Sequence, residues 1–410
     1  MCIRDRNKIV IWGTGQYASY IIKDMLMDKC VFEGFVDNNI EKQNKLWENQ
    51  YRIYSLEKSL ELGIDYYLIS AMYCKEQILS QAQSLGIENK LIWYWQNDLS
   101  QYEFINNSSY LKENILLKID TEKLQRQVDN APYEYGKSLV KIRPAKDLLK
   151  NIIDKKYSLC RFGDGEFDII LKQNRAWFQK YDIKMAERLE EILISHNSKI
   201  LIAIADNYGS LDKYNDMAAD AIRQYMTKEK RQEHMSLLDL SREYYDAYVS
   251  RPYMIYKDKD KNASEIFNLY KKLFCDRNIL IIEGENTKTG VNNGLLDGAH
   301  SIKRILCPDT NAYSAYDKIL NKAIESAVSD DLILITLGPT ATILAYDLAM
   351  QGYQAIDLGQ VDNEYEWFLR HATERIVIEG KSVSELAWYR IPETQIYDDR
   401  YETQIIAHVE

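Results

Sequence analysis

The triplet Asp164-Gly165-Glu166 is the feature of this sequence best suited to chemistry. Two carboxylates separated by one glycine can converge on a divalent cation, because glycine lets the backbone turn tightly between them. An all-oxygen donor set suits Mn2+ or Mg2+, with water and substrate phosphates completing the shell. An ion held there can take up the charge of a departing diphosphate. Arg161, just upstream, can add positive charge at the same place. The triplet equally suits an acidic first helical turn, where Asp and Glu are favoured. The pattern alone leaves both readings open.

Further candidates follow other apolar runs. Asp206 and Asn207 come after Lys199–Ala205, and Lys288 with Gly290–Gly294 comes after Asn278–Ile282. Gly338-Pro-Thr340-Ala-Thr342 lies between an apolar run and a helical pattern. A helix start of this kind offers free N–H donors to a phosphate or ribose, or is simply capped by a threonine. Lys288 supplies either an anion contact or a solvated loop. Gln360 precedes Asp362-Asn-Glu364-Tyr-Glu366, whose three acids share a face on a strand, and of which Asp362 and Glu366 share a face on a helix. One of these carboxylates could take a proton as general base, or the cluster is a solvated acidic face. Arg161, Asp206, Asn207, Lys288, Gly338, Thr340, Thr342 and Gln360 are thus the expected substrate contacts. The five histidines form no ligand spacing, and no nucleophile elbow or Walker sequence is present.

These residues need strands to place them. Runs rich in Ile, Leu and Val recur at 157–160, 199–205, 278–282, 302–306, 332–336 and 354–357, with helical periodicity between them. Near-continuous apolar strands alternating with helices predict an α/β domain with a mostly parallel sheet covered on both faces. In such sheets ligands bind beyond the carboxyl ends of the strands, where these candidates sit. An earlier segment repeats the pattern on a smaller scale. Lys8–Trp12 leads into Gly13-x-Gly15-x-x-Ala18, and Asp37 ends the next strand. That is a Rossmann-like fingerprint, with Gly13, Gly15 and Asp37 as candidate nucleotide contacts. The expected organisation is a Rossmann-like domain at 7–100, a linker with one helix at 101–145, and the larger domain at 146–400.

Composition sets the outer bounds. The chain has 410 residues, a formal net charge of −10, and 46% hydrophobic residues. It has apolar material for full cores and lacks the basic balance of a non-specific nucleic-acid binder. No stretch approaches the roughly 20 apolar residues of a membrane helix. Residues 1–8 do not read as a secretion signal. The six cysteines are scattered without a CxxC pair, as expected of reduced thiols in the cytoplasm.

The strings "RFGDGEF" (161–167), "LGPTATILAYDLA" (337–349) and "GYQAIDLGQVDNEYEWF" (352–368), with Glu283–Gly294 and Ser301–Arg304, carry a resemblance. Over about residues 146–385 the chain resembles the GT-D-type bacterial glycosyltransferases. The resemblance implies a fold distinct from the GT-A and GT-B types and a metal site at Asp164 and Glu166. It implies transfer of a sugar, typically glucose from a UDP-sugar, to a glycan or glycoprotein acceptor, with Glu366 matching the acidic residue expected as base. Relatives often carry His where this chain has Gln360. A second copy or partners in a glycosylation complex fit the same expectation. Two rival readings are an NAD(P)-linked sugar-modifying enzyme built on Gly13, Gly15 and Asp37, and a non-catalytic nucleotide-sugar-binding scaffold.

Overall fold

A computed structural model describes residues 6–15, 17–40, 42–71, 75–106, 109–173, 178–383 and 399–410. The chain forms two compact units that divide at Leu124/Gln125, with residues 399–410 in the second.

The N-terminal unit is built on strands β1 (Lys8–Trp12), β2 (Val31–Val36), β3 (Leu46–Trp47), β4 (Tyr51–Tyr54), β5 (Tyr66–Ile69) and β6 (Leu91–Trp93). Their order is β3-β4-β2-β1-β5-β6, parallel except for the β3/β4 edge hairpin. The alternation of side chains explains the unbroken apolar run of β1. Ile9 and Ile11 enter one core with Ile21, Phe35 and Leu68, while Val10 and Trp12 enter the other with Leu56, Ile78 and Ala82.

The second unit carries β7 (Lys141–Arg143), β8 (Ser158–Phe162), β9 (Ile200–Ile204), β10 (Glu243–Asp246), β11 (Asn278–Gly284), β12 (Ser301–Cys307), β13 (Leu332–Thr336), β14 (Gln354–Asp357) and β15 (Ile405–His408). They form one all-parallel sheet in the order β15-β12-β11-β13-β14-β8-β9-β10-β7. This is the α/β class with a parallel sheet read from the sequence. The stretch 101–145 holds the helix Ser109–Glu134 and edge strand β7, and β15 lies beyond residue 400. On one face the helices Asp164–Ile170, Ile183–Leu193, Tyr316–Ser326 and Pro339–Met350 pack together; on the other, Ala145–Lys155, Lys259–Phe274 and Val361–Leu369 do. Pro339–Met350 buries Ala341, Ile343, Leu344, Ala345 and Leu348 against β8 and β14. Each large aliphatic side chain so buried contributes about 1.5–3 kcal/mol.

The connections decide where a ligand can enter. The chain leaves β8 into a helix on one face and leaves β14 into Val361–Leu369 on the other. Adjacent strands whose helices part to opposite faces leave a crevice beyond their carboxyl ends. That switch point lies between β8 and β14. No helix among the described residues is long and apolar enough to cross a membrane.

One buried ion pair braces the far side of the sheet. Arg304 on β12 meets Glu283 on β11 at 2.5 Å, with side chains 2% and 0% exposed. Arg304 also donates to the Thr289 carbonyl and to Gln404 Oε1, which brings the C-terminal segment onto the sheet. Glu283 accepts the Thr289 N–H through its other oxygen. Removing the cation strands a buried carboxylate. Arg304→Met should therefore lower unfolding free energy by about 3–5 kcal/mol in urea titration, and the double change Arg304→Met with Glu283→Leu should restore much of it. A single variant within 1 kcal/mol of the parent would show that the pair is not a brace.

Candidate functional site at the β8/β14 crevice

β8 ends at Phe162, Gly163 caps the next helix, and Asp164 and Glu166 occupy its first turn. Asp164 is exposed and Glu166 partly exposed. Glu166 Oε2 accepts the Gly163 N–H at 2.7 Å, so the side chain folds back over the helix start. Asp164 Oδ1 lies 3.1 Å from the Gly165 nitrogen. Burial and the negative charge of Asp357 raise the Glu166 carboxyl to about 7, against the pull of the Gly163 N–H and Arg161. The triplet thus forms the acidic first turn of a helix, with Glu166 turned back onto its start and Asp164 beside it at the end of β8.

Arg161 is spent on the protein itself. Its guanidinium donates to Asp357 Oδ1 at 2.7 Å, to the Asp357 carbonyl at 2.9 Å and to Ser250 Oγ at 2.8 Å. It clamps the end of β8 to the end of β14. Burial raises the Asp357 carboxyl, and Arg161 and Thr342 oppose the rise. The Thr342 hydroxyl lies 2.8 Å from the Arg161 carbonyl and 3.2 Å from Asp357 Oδ2. Thr340 is fully buried, with Oγ1 3.5 Å from Gln179 Oε1. Gly338 has φ +54°, and a Cβ there would lie 2.2 Å from the Phe178 ring. Its turn aims the start of Pro339–Met350 toward Gly165, whose Cβ position is 3.8 Å from Pro339. Two helix starts therefore pack side by side at the β8 edge of the crevice.

Beside them, at the ends of β9 and β10, Asp206 accepts from Lys213 at 2.5 Å, and Lys213 also reaches the buried Asp246 at 3.5 Å. Burial and Asp206 lift the Asp246 carboxyl to about 6 against the opposing pull of Lys213. Asn207 Oδ1 accepts the Tyr248 hydroxyl at 2.8 Å, and burial, with Asp164 and Asp246 adding to it, raises that phenol. Gln360 sits at the position before the helix Val361–Leu369 without a side-chain capping hydrogen bond.

Asp362 and Glu366 are held differently. Lys381 bridges them at 2.8 and 2.9 Å. Asn293 donates to both, at 2.7 and 3.1 Å, and the Gly290 N–H donates to Asp362 at 2.7 Å. Arg370 takes the other Glu366 oxygen at 3.1 Å. Both carboxylates are buried rather than a solvated face, and they fasten the 285–300 loop and residue 381 to the helix. Glu364 is fully buried and accepts the Tyr253 and Met254 N–H groups. Lys288, half-buried, stands 5.9 Å from the Tyr401 ring. Sequence reasoning passed over Asp357, Ser250, Tyr248, Asn293 and Lys381. Only Asp357 had a local signal, a carboxylate ending an apolar run.

In the N-terminal unit, Gly13 donates its N–H to the Val36 carbonyl, and Gly15 accepts from Ala18. Asp37 Oδ2 accepts from the Thr14 hydroxyl, the Thr14 N–H at 3.2 Å and Lys42 at 3.2 Å. Asp37 is thus tied to Thr14 in the glycine turn and to Lys42.

Among the described residues no group of three or more His, Cys, Asp or Glu is arranged to hold a metal ion. Two carboxylates with hard oxygen donors nevertheless fit Mg2+ or Mn2+, which take one or two protein carboxylates and complete their shell with water and phosphate. Close approach at the crevice has a consequence of its own. Gly359 has φ +58°, and a Cβ there would lie 2.1 Å from the Arg161 guanidinium. Gly359→Ala should cost about 1–2 kcal/mol from the backbone alone and displace the clamp as well. An unchanged thermal midpoint would disprove the tight contact.

A family profile described as "Glycosyltransferase GT-D fold" matches residues 159–386, and one described as "C2185-like, N-terminal" matches residues 5–93. "Probable glycosyl transferase Gly" of Streptococcus gordonii is 37% identical over 283 residues, covering 68% of this chain and 40% of that protein. "Glycosyltransferase GlyD" of Streptococcus pneumoniae serotype 4 is 30% identical over 293 residues, covering 70% and 34%. The chain therefore spans well under half the length of these relatives. A solved structure described as "The highly conserved domain of unknown function 1792 has a distinct glycosyltransferase fold" superposes with a TM-score of 0.62 at 35% identity, covering 66% of this chain and 95% of that one. With its crevice at β8/β14 and its profile match over most of the second unit, the chain belongs to the glycosyltransferase GT-D fold family.

Proposed function

We propose that the chain is a metal-dependent glycosyltransferase that moves a sugar, expected to be glucose, from a UDP-sugar to a glycan acceptor in glycoprotein or surface-polysaccharide synthesis. The observation that carries this reading is the Asp164/Glu166 pair at the switch-point crevice of a chain in this family. Action in the cytoplasm, where UDP-sugars are made, belongs to the same proposal. Asp164 and Glu166 would hold Mn2+ or Mg2+, which when bound offsets the negative charge of the leaving diphosphate. Arg161 fixes Asp357 and the ends of β8 and β14, so the crevice keeps its shape when a charged donor enters. The start of the helix Pro339–Met350, packed beside Gly165, would offer N–H groups to the donor phosphate, while Lys288 stands against the Tyr401 ring on the β12 side of the sheet. The proton of the acceptor hydroxyl is assigned to Glu366, with Asp362 beside it. One base and no nucleophile give direct displacement with inversion.

The Glu166 carboxyl sets a pH dependence. Below about 7 it carries a proton, and an ion must displace that proton to bind. The Mn2+ concentration giving half-maximal release of UDP from a UDP-sugar should therefore rise about tenfold per pH unit below 7. Asp164→Asn and EDTA should each abolish that release. Hydrolysis indifferent to both would end the metal proposal. Glu366→Gln decides the role of its helix. A base predicts kcat lowered by about 10²–10⁴-fold with donor KM nearly unchanged. Normal turnover with a lowered melting temperature would instead make the Lys381-bridged pair a latch for the 285–300 loop.

A further inference from the structure

Behind the acid pair stands a second layer of polar groups that none of the readings above uses. Phe167 and Asp168 directly follow Glu166 in the same short helix, and both are buried. The His234 ring lies flat on Phe167, with centroids 4.0 Å apart and planes at 14°. His234 is 2% exposed. Its Nδ1 is 2.8 Å from the Tyr208 hydroxyl and its Nε2 is 3.2 Å from the Tyr225 hydroxyl. The Tyr225 hydroxyl in turn donates to Asp168 Oδ1 at 3.4 Å. One direction of donation satisfies all three contacts: Tyr208 O–H to Nδ1, Nε2–H to the Tyr225 oxygen, and Tyr225 O–H to the Asp168 carboxylate. The imidazole is neutral in this arrangement. Burial, with Lys230 and Arg231 adding to it, holds His234 far below its ordinary value, at about 3. From the same helix as His234, Lys230 reaches Asp168 Oδ1 at 3.4 Å and Gln173 Oε1 at 2.7 Å.

We propose that the chain Tyr208–His234–Tyr225–Asp168, with Lys230, positions the helix carrying Asp164 and Glu166 for divalent-ion binding. These are positioning residues, and the inference rests on the metal reading above. A seven-residue helix has little stability of its own. Its angle must come from neighbours, and here one face is fixed by ring stacking and one carboxylate by two donors. Outer groups that orient ligands commonly change metal affinity by 10–100-fold when removed.

The experiment is Mn2+ binding to the full chain without substrate, read from the loss of the free-ion electron paramagnetic resonance signal. Tyr225→Phe removes one hydroxyl and keeps the ring; His234→Phe keeps the stack and removes both nitrogens. Each should weaken Mn2+ binding about 10–100-fold, and the double variant should be little worse than either alone, since both break one chain. Excess Mn2+ should then restore UDP release in Tyr225→Phe to the parent rate, which repair of a general folding defect would not do. Mn2+ affinities within twofold of the parent in both variants, alongside lost binding in Asp164→Asn, would overturn the positioning role and leave the metal reading intact. Mn2+ binding absent from the parent, or unchanged in Asp164→Asn, would overturn the metal reading and this inference with it.

Discussion

The second unit depends on a seam. β14 and β8 are adjacent in the sheet, yet their ladder registers only at Ile356 and Leu159. Side chains close what the backbone leaves open. Ser158 Oγ accepts the Ala355 N–H at 3.0 Å near one end, and Arg161 grips Asp357 twice at the other. A charged pair with side chains 16% and 2% exposed is a costly way to join two strands, since both ions lose water. It holds the two strand ends together where the helices that follow them part to opposite faces, and where Asp164 and Glu166 stand. Everything proposed for the crevice assumes that this clamp holds.

The frame was legible in the sequence wherever burial is two-sided. β8, β9, β11, β12, β13 and β14 announce themselves as Ile, Leu and Val runs because helices cover both their faces. The missed strands are β7, β10 and β15 in the large sheet and β3 and β4 in the small one. All are short and mixed, as in Glu243-Tyr-Tyr-Asp246, and β7, β15 and β3 are edges. Missing β10 mattered, because Asp246 and Tyr248 lie at its end beside the crevice.

The candidate site was legible only where its groups are neighbours in sequence. Asp164 and Glu166 could be read from one triplet, and strand-end polarity pointed to Gly338 and Gln360. The bonds that define each group's surroundings come from afar. Arg161 looked like a free cation until Asp357 and Ser250 claimed it, and Asp362 and Glu366 looked solvated until Asn293 and Lys381 enclosed them. His234 was passed over for lacking ligand spacing, a test that does not ask what a histidine stacks upon. A single sequence carries periodicity and capping signals but no record of such long-range partners.

The seam also divides the sheet by chain segment. β7 to β10 on one side all come from residues 141–246, and β11 to β15 on the other from 278–408. Each half is thus assembled from contiguous sequence, and the two share one hydrophobic core, with the Ile356/Leu159 ladder contact, Ser158, the Arg161 guanidinium and the helix Pro339–Met350 all crossing the seam. The crevice is therefore complete only when both halves are in place, because its walls meet through residues far apart in the chain, Arg161 from one half and Asp357 from the other.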